Sequence, residues 1–305
     1  MKPTEVIVTL YEGHYHFGVA ALLNSLIKSG FTGLFRVGYR GTLPMWTNKL
    51  IKIKDNEFLV DAFIISFIYI NTDIHFGYYK PTFMRDTLRD LPSAERIYYF
   101  DPDIVVIAPW EFYKSWTKCG VSLCLDNCFG FVHRSHPWRA DWARLAGMNP
   151  NFKSKIDYYV NSGFIGLQRL DEEILDKWIY LTEEYSKGGG NLTLFEKEGN
   201  RSFKGDQDLL NAVISTSPNL RISLIGTEGM GFTQPTYLMS HAVDSIKPWK
   251  KKFIQHLFHR GKAPDFAEKA YILYANSPVK VYGNAHFAIK KLDAKLSTVL
   301  GRLMG

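Results

Sequence analysis

The chain opens with EVIVTL, GVAALLNSLIKSG and GLFRVGY, a strand, a helix and a second strand in immediate succession. The first segment is β-branched and apolar on both faces, as suits a parallel strand covered by helices, and Gly30 closes the helical pattern. A β-α-β opening implies an open, mostly parallel sheet flanked by helices, with ligands held at the carboxyl ends of its strands. RIYYF, IVVI, GVSLCL, YYVNSGFIGLQR and LRISLIG add strand candidates. Helices are expected over KPTFMRDTLRD, with Pro81 in its first turn, over LDEEILDKWIYLTEEYSK, and from near Asp206. The longest apolar run, FLVDAFIISFIYI, contains Asp61 and is shorter than the roughly 20 helical residues that span a bilayer, so it reads as buried core.

Charge divides the chain. From Lys247 onward there are twelve Lys/Arg against three Asp/Glu, whereas the preceding residues hold 25 against 27. That split predicts a basic appendage meeting something anionic: a membrane surface, nucleic acid or a phosphorylated ligand. Cys119, Cys124 and Cys128 match no common zinc spacing and, being odd in number, give no disulfide framework, so they read as reduced thiols of a cytoplasmic protein. The N-terminus runs straight into a strand, without the pattern of a signal peptide.

Asp101 and Asp103 lie at the carboxyl end of a buried strand, one residue apart in YYFDPDIVV. If extended they point the same way, and two adjacent carboxylates repel unless a cation neutralises them. Mg²⁺ or Mn²⁺ is the natural partner, with diphosphate oxygens completing its shell. Taken alone, D-x-D is also a common turn or cap. SHAVDSIKPW adds His241, an imidazole that Mn²⁺ accepts, and Lys247, a point charge suited to phosphate. KGDQDLLNAVI adds a second acidic pair around Gln207. The plain alternatives are an N-cap for Asp206, a core histidine and a solvated lysine. YEGHYHFGVA is neither G-x-G-x-x-G nor a P-loop, which argues against a dinucleotide fold and a nucleoside triphosphatase.

The order of KPTFMRDTL, IYYFDPDIVV, YVNSGFIGLQR, DQDLLNAVI and HAVDSIKPW resembles the GT-A glycosyltransferases, particularly the retaining family that includes glycogenin and bacterial lipopolysaccharide galactosyltransferases. The resemblance covers roughly residues 4–250, and its most specific part is the ending H-x-x-x-x-x-K-P-W. It implies a GT-A type α/β fold over 1–250, an open mixed, mostly parallel sheet in one nucleotide-diphospho-sugar transferase domain, followed by a basic, aromatic helical tail over 251–305. By resemblance, Asp101, Asp103 and His241 would hold Mn²⁺ or Mg²⁺ on the donor diphosphate and Lys247 would touch that diphosphate. Asn161 and Asp206 would bind donor-sugar hydroxyls, with Gln207 near the anomeric carbon. Arg85 matches a family arginine that reaches donor sugar or phosphate, with Lys80 its rival, and Thr9, Tyr11 and Tyr15 stand where the family cradles uridine. Pro102 is a departure: the family usually has a small or aliphatic residue there.

The implied activity is transfer of a hexose from a UDP-sugar to a hydroxyl of a surface glycan or lipid-linked acceptor. Retention needs no strong base; inversion would need one, with Asp208 and Asp126 as candidates. A nucleotidyltransferase would want a glycine-rich, basic signature near the first strand, and a nucleic-acid binder would leave the acidic constellation unexplained. The Gly-rich stretch from Gly188 to Gly205 is expected to be a mobile loop, either a lid over the donor or a surface insertion. In the last segment Ile289, Leu292, Leu296, Val299 and Leu303 form a helical stripe. This predicts either docking on an anionic cytoplasmic leaflet or packing against the catalytic domain.

Overall fold

The computed structural model describes residues 3–195 and 202–304. Its strands are β1 (Glu5–Glu12), β2 (Leu34–Arg40), β3 (Ile51–Lys54), β4 (Glu57–Val60), β5 (Phe63–Tyr69), β6 (Arg96–Phe100), β7 (Ile104–Val106), β8 (Val121–Cys124), β9 (Phe164–Gln168), β10 (Ile222–Ile225) and β11 (Met239–His241). The helices are α1 (His16–Ser29), α2 (Phe76–Asp90), α3 (Trp110–Trp116), α4 (Pro137–Leu145), α5 (Glu173–Lys187), α6 (Asp206–Ser215), α7 (Phe253–Arg260), α8 (Phe266–Tyr274) and α9 (Asn284–Met304).

Nine strands form one open mixed sheet in the order β10-β8-β9-β6-β1-β2-β5-β4-β3. The centre, β6-β1-β2-β5, is parallel, as is β10 on β8; β9 and the β3-β4-β5 meander run antiparallel. A separate two-stranded ladder joins β7 to β11 and sets His241 opposite Ile104. β1 is buried from Glu5 to Tyr11 because one core cluster, with Val6 and Val8, covers one face and another, with Ile7, covers the other. This is the two-sided burial that its unbroken apolar run predicts.

Three local readings change. Helix α2 begins at Phe76, capped by the His75 Nδ1 accepting from the Gly77 N–H, so Pro81 lies inside the helix and not in its first turn. The long apolar run is a β4-β5 hairpin that turns at Asp61, whose φ is 51°. In YYVNSGFIGLQR only Phe164–Gln168 joins the ladder, and the Asn-Ser-Gly segment turns back toward β6. The expected mobile loop falls partly outside the described residues. Its first part is anchored: the His75 N–H donates to the Leu192 carbonyl at 2.8 Å, and the Phe195 ring lies 4.0 Å from the His75 ring.

The tail packs on α1 and on the β7-β11 ladder. Tyr271, Ala270, Ala275 and Tyr282 share a buried cluster with Ala21 of α1, Val105 of β7 and Trp249. Gly18 of α1 allows a close approach here, since a Cβ would fall 2.0 Å from the Pro102 carbonyl oxygen and 2.9 Å from the Trp249 ring. Helix α9 packs on α7 by its polar residues. Asp293 accepts from the Phe253 and Ile254 N–H groups, Ser297 Oγ donates to the Phe253 carbonyl, and Lys290 Nζ donates to the Trp249 and Lys251 carbonyls. The apolar stripe of α9 therefore faces outward, Ile289 being 68% exposed and Leu303 79%. No helix among the described residues is long and apolar enough to cross a membrane.

The buried Asn24 carboxamide ties α1 to the tail: it donates to the Tyr274 and Val279 carbonyls and accepts from the Val279 N–H at 2.8 Å. Replacing Asn24→Ala strands several buried polar groups, each costing about 1–3 kcal/mol. The expected loss is therefore about 3 kcal/mol or more, read as a lower urea midpoint with unchanged slope. A midpoint equal to that of the parent chain would show that the tail is not held by this contact.

Candidate active site

The turn between β6 and β7 carries the two aspartates. The Asp101 N–H donates to the Gly163 carbonyl at 2.7 Å and the Ile104 N–H to the Asp101 carbonyl at 3.0 Å, so Asp101 and Asp103 sit in a tight turn and not on an extended strand. His241 arrives through the β7-β11 register: its Nε2 is 3.2 Å from Asp103 Oδ1 and 3.8 Å from Asp101 Oδ2. Lys247 Nζ lies 2.7 Å from Asp103 Oδ2. Burial disfavours the Asp103 carboxylate, but its contacts with the His241 ring and the Lys247 ammonium outweigh that cost and hold this carboxyl well below its usual range. For Lys247 burial likewise opposes the charge, and Asp103 overcomes it, raising the ammonium's pKa.

The residues fit a divalent ion. One ligand atom each from Asp101, Asp103 and His241 come within 4.8 Å of one another, and two carboxylates with an imidazole suit Mn²⁺ or Mg²⁺. Gly163 keeps the space between them open, because a Cβ there would stand 2.6 Å from His241 Cε1 and 3.0 Å from Asp101 Oδ2.

Beside this group lies a buried cation bridge. Lys80 Nζ is 3.0 Å from Asp101 Oδ1 and 2.9 Å from Asp206 Oδ2, donates to the Ser162 carbonyl at 3.1 Å, and lies 5.0 Å from the Tyr99 ring centroid. Burial pushes its pKa down, yet the two carboxylates more than reverse this. Arg85, five positions on, is turned by about 140° around the helix. It pairs with Asp176 of α5 at 2.7 Å, away from the cleft. The cleft-facing basic residue of α2 is Lys80.

Ser162 was missed in the sequence. Its Oγ donates to Asp206 Oδ2 at 2.8 Å and its N–H to Gln207 Oε1 at 3.2 Å, so it joins the N-S-G turn to the start of α6. Asn161 donates from Nδ2 to Asp126 Oδ2 and accepts the Gly163 N–H on Oδ1. The Asp126 Oδ1 accepts the Cys128 and Phe129 N–H groups. Asp208 points into the core, accepting from the Tyr159 hydroxyl and the Lys204 N–H, and burial raises its pKa to about 6.

A cavity of about 230 Å³ opens over these groups, lined by Tyr15, His75, Lys80, Asp101, Asp103 and Asp206, with Phe195 and Tyr11 among the remaining wall residues. Tyr15 is exposed at the rim, edge-on to Trp249 with ring centroids 5.2 Å apart. Tyr11 is 2% exposed, stacks on Tyr39, and donates to the Thr42 carbonyl. Thr9 is fully buried behind the cleft. His75 and Phe195 carry no motif; the cap geometry of α2 and the anchored loop bring them in.

No protein-family model matches the chain, and no curated protein matches it. Solved structures do. LgtC galactosyltransferase in complex with donor and acceptor sugar analogues matches with a TM-score of 0.53 at 15% identity over 93% of this chain and 99% of that one. An active-site mutant of LgtC matches with a TM-score of 0.54 at 16% identity, with the same coverage. The bifunctional glycosyltransferase WbbM matches with a TM-score of 0.55 at 15% identity over 95% of this chain. This chain spans 52% of the WbbM chain, about half its length. The fold is therefore the GT-A glycosyltransferase fold, of the kind seen in the galactosyltransferase LgtC.

Gly163 has no positive φ, so Gly163→Ala leaves the backbone unstrained while placing a methyl among the ligand atoms. Mn²⁺ affinity, measured by calorimetry, is expected to fall by at least about tenfold, or ~1.4 kcal/mol, together with a lowered thermal transition from crowding of His241 and Asn161. Undiminished affinity would place the ion elsewhere.

Proposed function

We propose that the protein is a metal-dependent hexosyltransferase that moves galactose or glucose from a UDP-sugar to a hydroxyl of a bacterial surface glycan or lipid-linked acceptor. One observation carries this reading. Lys80, Asp101, Asp103 and Asp206 line one cleft, and His241 and Lys247 join them from behind by contacting Asp103, so that the candidate ion group and the cation bridge form one chain of contacts. Sequence separation alone does not require these groups to converge, and a diphosphate-sugar uses every one of them.

Asp101, Asp103 and His241 would hold Mn²⁺ or Mg²⁺, which when bound supplies positive charge against the developing diphosphate. Lys247, paired with Asp103, is aimed to share its ammonium with a phosphate oxygen, and its raised pKa keeps it charged at neutral pH. Lys80 keeps Asp206 in place by a direct ion pair, so that Asp206 and Asn161 can bind donor-sugar hydroxyls. Gln207, oriented by the Ser162 N–H, is assigned to the side of the anomeric carbon. Tyr15 lines the same cleft and is offered to the nucleoside, with Tyr11 and Thr9 as buried support behind it. Arg85 has no direct part in this reading.

Retention of configuration is the favoured stereochemistry. Inversion requires a free carboxylate to take the acceptor's proton. Of the candidates, Asp126 is engaged by Asn161 and two backbone N–H groups, and Asp208 is turned into the core on Tyr159. In the retaining reading, the leaving phosphate oxygen receives that proton on the same face, and the chain's own groups serve to position and stabilise charge. UDP-galactose and UDP-glucose with Mn²⁺ are expected to raise the melting temperature and to be turned over slowly with release of UDP. Asp103→Asn should lose more than about a hundredfold in rate, or ~3 kcal/mol of transition-state stabilisation. Unchanged metal-dependent turnover in that variant, or no response to either sugar nucleotide, would sink the reading.

The tail supports a membrane-bound acceptor. The outward stripe of α9 is flanked by the exposed Lys291, Lys295 and Arg302, and α7 adds Phe258, which is 63% exposed, and Arg260. Such a surface suits an anionic leaflet, where each basic residue contributes ~1 kcal/mol, and would place the enzyme on the cytoplasmic face of the inner membrane. Replacing Leu292, Leu296 and Leu303 by Ser removes apolar area without stripping the cover from α1. Sedimentation with phosphatidylglycerol vesicles should then weaken by about tenfold or more; equal binding would retire the membrane model.

A further inference from the structure

The tail holds a second basic feature, to which neither the cleft nor the outward stripe of α9 contributes a residue. Segment 246–252 and helix α7 form a cavity of about 280 Å³ between them. Lys250, Lys252, Gln255, His256, His259 and Arg260 line it, and no acidic side chain is among its wall residues. Helical spacing explains the convergence: Gln255, His256, His259 and Arg260 share one face of α7, while Phe253 and Leu257 are buried in the fold. The backbone of both walls is fixed, with the Lys250 N–H donating to the Lys247 carbonyl and the His256 N–H to the Lys252 carbonyl, each at 2.9 Å.

These cations lack counter-charges. Lys52, Lys114, Arg134 and Lys187 elsewhere on the chain each hold a carboxylate. Lys250, Lys252 and Arg260 are exposed and form no ion pair among the described residues. The carboxylates that reach this segment are already engaged: Asp244 and Glu268 both pair with Lys251, and Asp293 caps α7. The surplus is felt by His256. Burial and then the charge of Lys251, with Arg260 and Lys262 adding to it and Asp244 opposing, lower its pKa and keep the ring neutral at pH 7. Its enclosed Nε2 has no hydrogen-bond partner among the described residues. His259 donates from Nδ1 to the Gln255 carbonyl at 2.8 Å, which leaves its Nε2 unbonded. Converging cations repel one another, and a bound anion removes that repulsion.

The shape of the pocket selects the anion. Single-stranded nucleic acid binds along an extended basic groove with aromatic faces for its bases, whereas this basic surface is one compact cavity whose only rings are two imidazoles. A phosphate monoester carries about two negative charges and three strong acceptor oxygens at neutral pH, so one small group can engage several cations together. We propose that this pocket is a phosphate-binding site in which Lys250, Lys252 and Arg260 hold a phosphate monoester and the Gln255 carboxamide adds a neutral donor. The guanidinium offers paired N–H groups to two phosphate oxygens, and the lysines act as point charges. The same chemistry belongs to the headgroup of a lipid phosphomonoester and to a free phosphorylated ligand. The site is independent of the transferase reading, and it differs from the docking of α9 in requiring a discrete phosphate and not apolar area.

The test titrates the full chain, its histidines isotope-labelled for NMR, with inorganic phosphate and with glycerol 3-phosphate at constant ionic strength. Saturable shifts of the His256 and His259 rings are expected. Lys252→Gln with Arg260→Gln should raise the Kd by about tenfold or more with the melting temperature unchanged, since both side chains are exposed. Vesicles separate the two sources: phosphatidylcholine carrying phosphatidic acid is compared with phosphatidylcholine carrying phosphatidylglycerol, matched in surface charge. A preference for phosphatidic acid that the double variant loses assigns the site to a lipid headgroup. Equal binding to both vesicles, with the phosphate response intact, assigns it to a free phosphorylated ligand. No saturable response to either phosphate, or an equal Kd in the double variant, overturns the site. Tight binding of a single-stranded oligonucleotide without any response to phosphate would overturn it in favour of nucleic acid.

Discussion

The site depends on one buried ammonium. Lys80 is almost fully enclosed, and it remains charged because Asp101 and Asp206 reach it from two different parts of the chain. Without it, two carboxylates and a further aspartate would share one dry cleft, each paying desolvation without a partner. With it, the β6-β7 turn, the N-S-G turn and the N-terminus of α6 are drawn to one point, since Ser162 bonds both Lys80 and Asp206. Lys247 does the same for Asp103 from the far side. The cleft is thus assembled by charge compensation before any ligand arrives, which is the condition for electrostatic preorganisation.

Packing makes that assembly possible. The turn bearing Asp101 and Asp103 is seated on α1 at Gly18, and Trp249, two residues after Lys247, closes the same contact. Trp249 in turn belongs to the cluster that α8 and Tyr282 complete. The basic tail is therefore part of the support of the turn that carries Asp101 and Asp103 as well as a charged surface. Beside that apolar cluster the tail also buries polar groups: Lys251 is buried against Glu268 and paired with Asp244, and Asp293 caps α7. These demands for partners decide which face of α9 turns inward, leaving the leucines outside.

Much of this was legible as pattern. The β-α-β opening, the D-x-D at a strand end and the H-x-x-x-x-x-K-P-W segment each carry local constraints: two-sided burial, like charges in need of a cation, and a fixed spacing between imidazole and ammonium. Side-chain direction was not legible. Arg85 and Lys80 are both basic residues of α2, and only the helix's rotation against α5 decides that one pairs with Asp176 while the other enters the cleft. Ser162 and Phe195 carry no charge pattern and act through contacts with distant segments. The stripe on α9 had the period of a core helix, and it lost the inner face because hydrogen-bonding groups elsewhere on the helix had buried backbone to satisfy.

By itself the sequence determined the alternation of strands and helices, the acidic pair and its histidine and lysine companions, and the basic character of the tail, because these follow from residue type and local spacing. The tertiary structure alone decided which charges meet, through the register that sets His241 opposite Ile104 and the rotation that admits Lys80. It also decided which apolar residues remain in water on α9. Burial and pairing are properties of neighbours brought together from far along the chain, so no local pattern can record them.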